Sequence, residues 1–76
     1  MNDDRLVKMA NQIATFFVTQ PGDAAAQATA DHIRAFWDPR MRKAITAHVE
    51  AGGEGLDPVA LAAVRLMMAP NEGRAT

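Results

Sequence analysis

Residues 36–45 read Phe36-Trp37-Asp38-Pro39-Arg40-Met41-Arg42-Lys43-Ala44-Ile45, FWDPRMRKAI in one-letter form. The middle of this stretch is a helix start. An Asp side chain accepts hydrogen bonds from the free N–H groups of a first helical turn. Pro suits the first helical position because the N–H it lacks would have had no partner there. Asp57-Pro58 repeats the device further along. Two helices therefore begin at positions 39 and 58, and the rest of the chain is read outward from them.

Downstream of Asp38, Met41, Ala44, Ile45, His48 and Val49 recur at helical spacing, and Gly52-Gly53 supplies a left-handed stop. Downstream of Asp57, Leu61, Val64 and Met68 line one face, with Leu66 and Met67 beside them, until Pro70. Leu56 and Leu61 take the positions of a hydrophobic staple. Upstream, Ala26, Ala30, Ile33 and Trp37 share a face, flanked by Thr29, His32 and Phe36. Further upstream, Leu6, Met9, Ile13 and Phe16 or Phe17 form another stripe, which Pro21-Gly22 ends. No segment alternates with period two, Tyr is absent and Ala is the commonest residue, so strands are not expected. The expected fold is all-α. It is a single small four-helix domain over residues 1–70, with helices near 4–19, 23–37, 39–51 and 58–69. Connections are short, and residues 71–76 read as a frayed tail.

Seventy-six residues, 49% of them hydrophobic, sound sufficient for a core, but sixteen of the residues are Ala. Alanine buries little area, and a chain this short buries only ~60% of its unfolded surface. Domains of this size usually add disulfides, a metal or a partner. Cys is absent, which removes disulfides and thiolate-held zinc or iron–sulfur clusters. A partner is the support that remains. The net charge of −1 gives no general attraction to nucleic acid or anionic lipid. No apolar run approaches the ~20 residues of a membrane span. The acidic Met1-Asn2-Asp3-Asp4 start does not resemble a signal peptide, so a cytoplasmic location is expected.

Catalytic chemistry finds little material. There is no Ser, and Thr15, Thr19, Thr29, Thr46 and Thr76 sit in no nucleophile turn. His32, His48 and Asp31 could converge on a metal only if separate helices brought them together, and their spacing matches no ligand motif. Asp38 and Asp57 are accounted for as caps, and Asp31 with Arg34 as an i, i+3 pair. The Gly52–Gly55 segment lacks the spacing of a phosphate loop. No catalytic, cofactor or metal residue is assigned.

Recognition has more to work with. Phe16-Phe17 and Phe36-Trp37 are adjacent ring pairs, and adjacent helical residues cannot both face one core. Arg40 and Arg42 occupy the first turn of a helix, where the dipole disfavours positive charge. Aromatic and Arg side chains are the usual anchors of interfaces. Phe17, Phe36, Trp37, Arg40 and Arg42 are the residues assigned to a partner contact, one ring of each pair turning outward.

Several blocks resemble a known family. They are Met9-Ala10-Asn11-Gln12-Ile13-Ala14, Phe16-Phe17, the run His32-Ile33-x-x-Phe36-Trp37-Asp38-Pro39-Arg40-Met41-Arg42, and Gly53-x-Gly55-Leu56-x-Pro58. Together they resemble the delta subunit of NAD-dependent formate dehydrogenase, from about Leu6 to Met68. The resemblance implies a small non-catalytic subunit of a cytoplasmic, molybdenum-containing, oxygen-tolerant enzyme. It implies no redox group on this chain. The larger subunits of such a complex carry molybdopterin guanine dinucleotide, iron–sulfur clusters and FMN, and reduce NAD. The implied role is assembly or stability of the complex by docking, with the alpha catalytic subunit as the partner. Two alternatives stay open: a transient assembly chaperone for cofactor insertion, and a small helical nucleic-acid-binding domain using Arg40, Arg42 and Lys43. Near-neutral charge weighs against the second.

Overall fold

The computed structural model describes residues 3–21 and 23–68. Four helices run in the order α1 (Asp3–Phe17), α2 (Ala24–Phe36), α3 (Pro39–Glu50) and α4 (Pro58–Met68). No strand occurs among the described residues. The expected tail at 71–76 and the expected helix end at 69 lie outside them. Helix α1 stops two residues short of the expected end, and the chain leaves it through tight turns, with Gln20 N–H bonded to the Phe17 carbonyl at 3.0 Å.

Helix α4 is the common element: α1, α2 and α3 all pack on it. Helix α1 also packs on α2 and α3, whereas α2 and α3, consecutive in the chain, scarcely touch. No helix among the described residues is long and apolar enough to cross a membrane.

Alanine sets the packing. Half of the buried apolar residues are Ala: Ala10, Ala14, Ala25, Ala26, Ala30, Ala60 and Ala63. These alanines lie on α1, α2 and α4, three helices that all pack on one another. The buried face is accordingly rotated from the one that large residues alone suggest. On α1 it is Leu6, Val7, Ala10 and Ala14, while Met9 and Ile13 are only partly buried. On α4 it is Ala60, Ala63 and Val64, while Leu61 is half-buried and Leu66 is exposed. Met67 and Met68 both lie partly buried against the core at the end of α4. Thr29 is fully buried within this layer, and its hydroxyl donates to the Ala25 carbonyl at 2.8 Å, so it strands no polar atom.

The two Asp-Pro starts fold as read. Asp38 accepts from the Met41 N–H at 2.9 Å, and Asp57 accepts from the Ala60 N–H at 2.9 Å. Helix α3 ends in a Schellman turn. Gly52 N–H reaches the Val49 carbonyl at 3.0 Å, and Gly53 N–H reaches the His48 carbonyl at 2.9 Å. Gly53 has φ +68°, a left-handed conformation that favours glycine, and a Cβ there would come within 2.9 Å of Leu61 Cδ1, so the leucine tip would have to shift.

One side chain ties the loop before α4 to the first helix. Asn11 donates from Nδ2 to the Gly55 carbonyl at 2.9 Å and accepts at Oδ1 from the Asp57 N–H at 2.9 Å. On the other side of the same loop, His48 Nε2 donates to the Glu54 carbonyl at 2.7 Å, a carbonyl having no proton to offer.

Candidate protein interaction surface

Trp37 and Phe36 part company at the end of α2. Trp37 is the C-cap; its N–H bonds the Ile33 carbonyl, and its backbone turns extended at φ −87°, ψ 139°. That break from the helix sends the indole into the core, where it is 5% exposed. Phe36, the last helical residue, is left 74% exposed. Of this pair, then, Phe36 is the ring that turns outward, and Trp37, assigned with it to a partner contact, fills the core instead.

The α1 pair splits less sharply. Phe16 is 78% exposed and Phe17 is half-buried. Phe16 packs edge-on against Phe17, ring centres 5.0 Å apart and planes at 82°. Phe17 then meets His32 of α2 at 6.3 Å, and His32 meets Phe36 at 4.6 Å. Four rings thus run in a line from the end of α1 to the end of α2. A shallow apolar groove lies alongside, lined by Met9, Ile13, Phe16, Phe17 and His32. Only the Phe16–Phe17 pair is edge-to-face, a packing that stabilises modestly; the two contacts of His32 are tilted, at 60° and 37°. Exposed rings on this scale nonetheless gain most by being covered.

Basic side chains follow the end of this line in the sequence. Arg40 follows Phe36 by four residues, so the two lie within about 14 Å of chain. Arg40 and Lys43 are exposed and Arg42 is half-buried. Among the described residues, none of these three cations has an ion-pair partner; Arg34 pairs with Asp31 at 3.3 Å, and His48 Nδ1 lies 4.0 Å from Asp3. Arg34 also donates to the Leu66 carbonyl at 3.3 Å, which makes it part of the α2–α4 packing.

Of the residues assigned from sequence, Phe17 and Phe36 belong to one ring line, Arg40 and Arg42 lie at the basic corner where α3 begins, and Trp37 is buried in the core. Phe16 and His32 are the members that sequence reasoning left out. The i, i+4 spacing of His32 and Phe36 is a readable helical neighbour relation. The contact of Phe17 with His32 crosses between helices and has no local signal.

The three residues considered for a metal are not brought together. His32 faces the phenylalanines, His48 faces Glu54 and Asp3, and Asp31 accepts from Arg34 and Gln27. Among the described residues no three His, Asp or Glu side chains converge.

Comparison with known families gives a match over residues 5–64 to the NADH-dependent formate dehydrogenase delta subunit, FdsD. The chain belongs to this family. It is thus of the kind that associates with other formate dehydrogenase subunits. The matched region contains the whole ring line and the basic corner. No curated protein and no solved structure matches the delta-subunit chain.

Proposed function

We propose that this delta subunit is a non-catalytic accessory chain that docks on a larger subunit of the formate dehydrogenase, the alpha subunit, and supports assembly or stability of the complex in the cytoplasm. The observation that carries the reading is the ring line: Phe16 and Phe36 are the most exposed large apolar side chains described, and they are joined through Phe17 and His32 into one surface. A chain with so thin a core gains little by leaving the Phe16 and Phe36 rings largely in water unless another protein covers them.

Composition supports the non-catalytic part. Without Cys the chain has no thiolate for an iron–sulfur cluster, and without Ser it has no serine nucleophile. Molybdopterin guanine dinucleotide, the iron–sulfur clusters, FMN and the NAD site fall to the other subunits in this reading.

The test is to express a tagged copy in its own host and isolate what it binds. The expected result is stoichiometric recovery with the alpha subunit, together with molybdenum, iron and formate-dependent NAD reduction in the eluate. Deleting the gene should then lower the amount of intact complex while any complex that does assemble keeps its turnover per molybdenum. Absence of the chain from the mature active enzyme would sink the permanent-subunit reading in favour of a transient chaperone.

A further inference from the structure

The ring line ends, along the chain, where a run of cations begins. Phe36 closes the line at the end of α2, and Arg40, Arg42 and Lys43 open α3 immediately beyond it. Three of the chain's eight basic residues therefore fall within four positions, in a chain whose net charge is −1. The acid that precedes them, Asp38, is engaged in capping the Met41 N–H. The amino end of α3 adds its own partial positive charge to theirs. Helix stability favours acids at such positions, so the cations are there against local preference, without an ion-pair partner among the described residues.

We infer that the ring line and the cations that open α3 act together as the docking site, and that they fit a patch on the larger subunit consisting of an apolar socket for Phe16 and Phe36 with carboxylates beside it for Arg40, Arg42 and Lys43. The inference rests on the docking reading above and adds which surface docks and what chemistry receives it. A second copy of this chain is a poor occupant. A two-fold pair places the same patch against itself, and this would bring six unneutralised cations together. Nucleic acid would satisfy the cations but leaves the ring line without a matched surface, and the chain's overall charge gives phosphate no long-range pull.

The two halves of the surface contribute differently. Covering Phe16 and Phe36 removes apolar area from water and slows dissociation. The cations at the edge steer the encounter and speed association, an effect that salt screens.

The experiment compares three full-length chains for capture of the other formate dehydrogenase subunits: the wild type, Phe16→Ala/Phe36→Ala, and Arg40→Glu/Arg42→Glu/Lys43→Glu. The charge reversal places acids where the α3 dipole welcomes them, so the helix should be at least as stable as before. Circular dichroism melting of both variants verifies folding. The double alanine variant is expected to lose retention through faster dissociation. The reversal is expected to slow association by roughly tenfold or more and to erase its salt dependence. If the wild type is captured but both folded variants associate and dissociate as it does, the surface assignment is wrong while the docking function stands. If the wild type captures no formate dehydrogenase subunit, the docking function itself falls. Wild-type binding to duplex DNA at low salt that disappears on charge reversal would overturn the assignment of the basic corner to a protein partner.

Discussion

Two edges of the molecule are built on opposite terms. At the loop edge, residues 51–57 are held from every side. Gly53 closes the end of α3, His48 holds Glu54, Asn11 holds both Gly55 and Asp57, and Asp57 caps α4. At the ring edge, Phe16 and Phe36 touch other rings but remain mostly in water. The first edge satisfies its polar groups within the chain and belongs to folding. The second leaves apolar area unspent, as expected where another protein completes the structure.

Substitutions can break this contrast in graded steps. The largest effect is expected one residue beyond the ring edge. Trp37→Ala removes a buried indole and should destabilise by about 3–5 kcal/mol, enough to leave a domain this small largely unfolded. Urea titration followed by circular dichroism measures it, and a loss below about 1 kcal/mol would contradict the core position of Trp37. Asn11→Ala should come next. It strips two hydrogen bonds from the loop edge and leaves the partly buried Asp57 N–H without its partner, a cost of about 2 kcal/mol. A neutral result there would show that the loop edge holds without its clamp.

The two caps give a finer comparison. Asp57→Ala and Asp38→Ala each remove one cap, worth about 1 kcal/mol. The first should cost more, because Asp57 sits partly buried in the clamped loop and Asp38 stands in solvent. Reversal of that order in matched thermal melts would argue against the clamp's reach. The smallest effect on stability is expected at the ring edge itself. Phe16→Ala and Phe36→Ala should stay within about 0.5 kcal/mol of the parent while weakening capture of the larger subunit. A loss of several kcal/mol in the isolated chain would place these rings in the fold after all.

How much of this was legible depends on the distance between cause and effect along the chain. Asp38 and Asp57 declare their roles because the amide that each one caps lies three residues on. The Gly52-Gly53 stop is equally local. Asn11 could not be read: its partners lie 44 and 46 residues away, and an Asn beside an apolar stripe looks like any solvent-facing residue. The rotated core faces escaped for a different reason. Large apolar residues attract the eye, yet alanines hold many of the buried positions on α1, α2 and α4, and Leu61 and Ile13 become shoulders of the core. The ring pairs announced that one member of each must turn outward. Which one turned depended on the backbone leaving the helix at Trp37, and a spacing rule does not carry that information.

The placement of α3 also bears on how the protein comes into being. A chain whose consecutive helices pair can close hairpin by hairpin as it is synthesised. In this chain the third helix scarcely touches the second, and every helix leans on the fourth. Helices α1 and α2, which carry the rings, can pair early. The completed core must wait for the last helix to emerge, and a nascent chain halted before Pro58 would present its docking edge on an unfinished body.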